Sequence, residues 1–186
     1  MKKLVIAGAS VALAAMPVLG VFAVDMTDNV EIDVTETCTI SAVQSQNSVD
    51  LGEKTTGQTS AEVTGGIMTV NCNDTVNGWN LKATANNLTA TGTGTAITFG
   101  TANAKGSSYT AKMTPGGDGL SDGATNAWSS YATAAANDAV IVHDTKSVSN
   151  LTLQPTYKAT IGATQEVDTY TGSVTYTFVT LPVSGS

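Results

Sequence analysis

The chain has 186 residues, with 15 acidic side chains against eight lysines, no arginine, and a formal net charge of −7. An acidic chain without arginine can neither neutralise a run of phosphates nor grip guanine with a bidentate fork, so nucleic acid is excluded as a partner. Two cysteines and the single His143 are too few for a Cys/His metal centre, and no cofactor or metal is expected.

The first element in chain order is a leader. Lys2 and Lys3 precede an apolar run over residues 4–22, and Val21 and Ala23 place small residues at the −3 and −1 positions of a cleavage site. Residues 1–23 are expected to be a bacterial-type secretory signal peptide, and residues 24–186 a single exported domain. Loss of Lys2 and Lys3 takes the charge from −7 to −9, since residues 1–23 hold no acid. No second apolar run reaches about 20 residues, so no membrane span is expected after cleavage. The expected location is outside the cell or on its surface. There, two lone cysteines pair, and a Cys38–Cys72 disulfide is expected.

The rest of the chain reads in steps of two. Val30, Ile32, Val34, Cys38 and Ile40 share one parity, with Glu36 the exception, and Glu31, Asp33, Thr35, Thr37 and Thr39 fill the other. This is the alternation of a half-buried strand. Met68, Val70 and Cys72 continue the pattern after Gly65-Gly66, which puts both cysteines on inward positions of neighbouring strands. Asn77-Gly78 reads as a tight turn. Trp79, Leu81, Ala83 and Ala85 then form the inward face of a third strand.

Residues 90–137 are rich in Gly, Ala, Ser and Thr and read as strands joined by long surface loops, the usual seat of binding. Residues 132–139 are alanine-rich enough for one helical turn. Residues 148–161 are extended, with Leu151, Leu153, Tyr157 and Ile161 as core positions and Pro155 marking a bulge or an edge. In the last strand Tyr170, Gly172, Val174, Tyr176 and Phe178 alternate with Thr and Ser. With 31 threonines and no helical period, the chain is expected to be all-β, a single antiparallel Ig-like β-sandwich with one disulfide.

Catalytic signals are weak. Gly119-Leu120-Ser121-Asp122-Gly123 fits Gly-x-Ser-x-Gly, but that motif makes a nucleophile elbow only between a strand and a helix. His143-Asp144 lacks a positioned nucleophile in the sequence pattern. Asp118 and Asp122 put two carboxylates in one glycine-rich loop, a weak calcium candidate without the EF-hand spacing. Trp128 and Tyr131 lie among small polar residues. They read as ligand-contacting aromatics or, for Trp128, as a loop anchor packed under a sheet edge. Trp79 reads as core. The expectation is a non-enzymatic protein.

Two segments carry a resemblance. Asn77-Gly78-Trp79-Asn80-Leu81-Lys82-Ala83 resembles the first Trp-x-Leu strand of the WxL family of bacterial surface proteins. Thr169-Tyr170-Thr171-Gly172-Ser173-Val174-Thr175-Tyr176-Thr177-Phe178 resembles that family's C-terminal strand, with Tyr176-Thr177-Phe178 where the family has a second Trp-x-Leu. The resemblance implies a secreted β-rich protein held non-covalently on the cell wall, with peptidoglycan as its ligand and Trp79, Leu81, Tyr176 and Phe178 as its motif residues. The two-cysteine first half and the Tyr-x-Gly-x-Val-x-Tyr-x-Phe ending are also similar to fimbrial and spore-coat-U-type sandwiches. That similarity implies a structural subunit completed by a strand from its neighbour, with residues 24–34 as the donor. A carbohydrate-binding adhesin is the third expectation. The partners implied are cell-wall polysaccharide or neighbouring surface subunits.

Overall fold

The computed structural model describes residues 37–42, 48–73, 77–133 and 138–181. The expected leader at residues 1–23 and the donor candidate at residues 24–34 lie outside them. Among the described residues twelve strands follow in order: β1 (Cys38–Ala42), β2 (Val63–Thr64), β3 (Met68–Cys72), β4 (Trp79–Ala85), β5 (Thr89–Ala90), β6 (Thr98–Phe99), β7 (Ser108–Gly116), β8 (Thr125–Asn126), β9 (Ala139–Asp144), β10 (Val148–Thr160), β11 (Tyr170–Thr171) and β12 (Val174–Thr180). No described residue is helical.

The strands form two main sheets and a small ribbon. The first sheet runs β1-β3-β10-β7-β6, with β2 also on β10; the second runs β12-β4-β9-β8; β5 pairs β11. All pairings are antiparallel except β6 with β7. Alternation explains the burial in β4 and β7. In β4 every second residue from Trp79 to Ala85 is buried and the residues between are half-buried. Tyr109, Ala111 and Met113 do the same in β7. Val70, Met113, Leu151 and Leu153 of the first sheet and Trp79, Leu81, Ile141 and Val142 of the second join one apolar cluster. Each such side chain contributes about 1.5–3 kcal/mol when fully buried. Tyr157 and Tyr176, one from each sheet, share a 2.8 Å hydrogen bond between their hydroxyls.

The disulfide joins Cys38 to Cys72, directly opposed residues of β1 and β3. Cys72 is buried and Cys38 packs against the core from a half-buried position.

Four local expectations are corrected or refined. β10 runs through Pro155 without a break and is a central strand, not an edge: Pro155 opposes Met113 of β7 and its carbonyl accepts from the Gly65 N–H at 2.8 Å. The irregularity lies in the partner, where the register slips by one residue between the Leu153–Met68 and Thr156–Thr64 pairs, across Gly65-Gly66. Asn77-Gly78 closes no hairpin, since β3 and β4 belong to different sheets. Gly78 carries the chain between them with φ +76°, and a Cβ there would sit 2.0 Å from the Asp144 carbonyl oxygen. The last strand breaks at Gly172-Ser173, where Asn87 and Leu88 cross close enough that a Cβ on Gly172 would touch both. Ala132, Thr133 and Asp138 are non-helical and Ala139 begins β9; residues 134–137 of the alanine-rich stretch lie outside the described residues.

Candidate functional site

The two segments that carried the family resemblance are adjacent in space. β12 lies antiparallel beside β4, with Phe178 opposite Leu81, Tyr176 opposite Ala83 and Thr180 opposite Trp79. The Trp79 and Phe178 rings are 5.6 Å apart and tilted by 31°. Trp79 and Leu81 are fully buried, so their part of this motif is core packing and offers no side chain to a ligand. Tyr176 and Phe178 are half-buried and pack against the same core. Among the described residues β12 has β4 as its one neighbour.

Trp128 is not an exposed aromatic. It is 4% exposed, stacked on Phe99 at 5.5 Å and edge-on to Tyr176 at 6.3 Å. Its carbonyl accepts from the Met113 N–H at 2.7 Å, which straps the segment to the edge of β7 and turns the indole inward. The loop-anchor alternative is the one the structure takes. Tyr131, three residues on, is half-buried and lies under two cations: Lys158 Nζ is 3.9 Å and Lys112 Nζ 4.9 Å from its ring centre. Lys112 also pairs with Glu62 at 2.9 Å. Burial, and then Glu62 beside it, push the Tyr131 hydroxyl up to about 12. Its ring is already in contact with two lysines, which leaves it a poor bare platform for a sugar.

Ser121, His143 and Asp144 do not assemble a triad. Ser121 Oγ and its N–H both donate to the Asp144 carboxylate, and the Lys146 N–H donates to it at 3.0 Å. His143 is the preceding residue of β9, and adjacent strand residues point to opposite faces. Its Nδ1 lies 2.7 Å from Asn80 Oδ1, across the β4–β9 ladder. Asp144 is fully buried, and its bonds to Ser121 and Lys146 pin the loops on either side of it. Asp118 and Asp122 are both exposed, and among the described residues no group of three His, Cys, Asp or Glu side chains converges to hold a metal.

What those pinned loops enclose is a cleft of about 590 Å³ beside the disulfide. Thr39 and Asn71 wall it from β1 and β3, Asp118 and Leu120 from the loop after β7, and Ser147 and Ser149 from the start of β10. Sequence reasoning missed this site. Its residues are common turn and surface types with no motif, and only the shared outward parity of Thr39 and Asn71 hinted at a common face. No family model matches the chain, and no curated protein is similar enough to count as a relative.

Proposed function

We propose that the protein is an exported, non-enzymatic β-sandwich of the bacterial cell surface, WxL-like in kind, which associates non-covalently with cell-wall glycan after removal of residues 1–23. The observation that carries this reading is the β4–β12 pairing. Two segments far apart in the chain, each a weak match alone, form one antiparallel ladder with Trp79 against Phe178. The engagement of Ser121 by Asp144 and of His143 by Asn80 supports a non-enzymatic role. The strand order supports an Ig-like sandwich: β1-β3-β10-β7 on one sheet follows the A-B-E-D order, and β4 beside β12 follows C beside F.

The outer edge of β12, which has β4 as its one neighbour among the described residues, favours a second reading. In an Ig-like sandwich that edge takes a final strand. Val174, Tyr176 and Phe178 on its inner face are only half-covered, whereas the matching positions of β4 are buried. Residues 24–34 of a second copy, with Val30, Ile32 and Val34 at period two, suit strand addition there, and the protein would then be a polymerising subunit.

Co-sedimentation with purified peptidoglycan sacculi, with size measured in solution, separates the two. Saturable pelleting of a monomer supports wall association. A ladder of oligomers that does not pellet, and that disappears on deleting residues 24–34, supports the subunit reading.

A further inference from the structure

We infer that the cleft beside the Cys38–Cys72 bridge binds a short segment of uncharged glycan; the inference rests on the wall-glycan reading and gives it a site. The volume of about 590 Å³ falls within the range of small-molecule sites. The lining chemistry selects the ligand. Among the described lining residues Asp118 is the only ionisable side chain, and none is a lysine. A phosphate or sulfate therefore finds no cation there, and a carboxylate meets Asp118 and a chain of net charge −7.

What the walls do offer is hydroxyls and carboxamides. Thr39, Ser147 and Ser149 can each donate and accept, Asn71 supplies an amide fork, and Asp118 accepts through two oxygens. This set matches the adjacent hydroxyls of a sugar ring. Leu120, half-buried, provides an apolar patch for the C–H face of the ring.

The site is also rigid before anything binds. The disulfide ties β1 to β3. The Asn150 N–H donates to Asn71 Oδ1 at 2.8 Å and the Thr37 N–H to Asn73 Oδ1 at 2.6 Å, which fixes both carboxamides. Asp144 holds the Ser121 loop on one side and Lys146, next to Ser147, on the other. A preformed site loses little ordering entropy when a ligand enters.

The test is an NMR titration of the oxidised full chain with the tetramer of N-acetylglucosamine. The expected result is saturable shifts of the Leu120, Ser147 and Ser149 amides. Ser149→Trp, which fills the cleft from an exposed position, should weaken binding by about tenfold or more at unchanged melting temperature. Asp118→Lys, also at an exposed position, is the second variant should the first lower the melting temperature, and it should weaken binding by about fivefold. No saturable shift, shifts confined to other surfaces, or tetramer binding untouched by both folded variants overturns the inference. Sacculi separate the two levels. If the wild type and both variants pellet equally, the cleft inference falls and wall association stands. If the wild type binds the tetramer at the cleft but does not pellet, wall association falls and the cleft inference stands.

Discussion

Gln154 Nε2 donates to the Gly65 carbonyl at 3.2 Å, beside the bond from the Gly65 N–H to the Pro155 carbonyl. In a regular antiparallel pair the residue opposite Gly65 would return a bond from its own N–H. Pro155 has none, and the side chain before it supplies the missing donor. A proline therefore sits in a central strand without leaving a part-buried carbonyl without a partner. Gln154→Leu removes the donor and should cost about 1 kcal/mol of stability, read from the midpoint of urea unfolding. In a Pro155→Ala background, where a backbone N–H is restored, the same change should be nearly neutral. An equal cost in both backgrounds would show that Gln154 acts through something other than Gly65.

Trp128 and Tyr131 should respond very unequally to truncation. Trp128 fills the space between Phe99 and Tyr176 in the core, so Trp128→Ala should cost about 3–5 kcal/mol. Tyr131→Ala leaves the core intact and releases Lys112 and Lys158 from a half-exposed ring, a contact worth about 0.5–1 kcal/mol. Thermal unfolding followed by circular dichroism checks the order. Any ligand-binding loss in Trp128→Ala is then expected to follow unfolding, while neither change should alter binding of glycan at the cleft in protein that remains folded.

The disulfide should matter more than any single side chain on its strands. It links residues 34 apart in sequence and, in the chain-entropy model, stabilises by about 4 kcal/mol. The double change Cys38→Ser, Cys72→Ser should lower the unfolding free energy by roughly that amount. It should also loosen β1, which among the described residues pairs with β3 alone. Hydrogen exchange at Ile40 should rise sharply, while exchange at Leu81, in the other sheet, should change only as far as global stability does.

The strands were legible wherever a period of two ran over large residues: the inward sets Trp79-Leu81-Ala83-Ala85 and Met68-Val70-Cys72 follow from alternation alone, as does the facing of the two cysteines. Trp128 was ambiguous because its neighbours Ala127, Ser129 and Ser130 are small and carry no period, so only its distant partners Phe99 and Tyr176 decide its orientation. Pro155 misled for a different reason. The rule against proline in central strands counts backbone donors, and here a side chain one residue away replaces the donor. The cleft was invisible because Thr, Ser and Asn are ordinary turn residues, and their convergence is created by Asp144 and the disulfide rather than by local sequence.

Acid should open one end of the molecule before the core yields. Lys105 Nζ lies 2.9 Å from Glu166 Oε1, and the Thr95 N–H donates to Oε2 at 3.1 Å. The Lys105 bond first, and backbone donors after it, hold the Glu166 carboxyl down to about 2 from an ordinary 4.5. Asp168 is lowered too, chiefly by the 2.8 Å bond from Thr91 Oγ1, with the Thr169, Gly92 and Gly94 N–H groups adding to it. Both folded-state values lie below the unfolded ones, so both groups stabilise the fold when ionised; the Glu166 contribution is complete above pH 4.5 and disappears as pH falls through about 2. Between those limits residues 91–95 should loosen from residues 166–168, seen as lost amide protection at Gly92 and Thr95 while Leu81 and Leu151 stay protected. Glu166→Gln should lower the melting temperature at pH 7 and leave it nearly unchanged at pH 2. An equal drop at both pH values would assign Glu166 a packing role instead of a charged one.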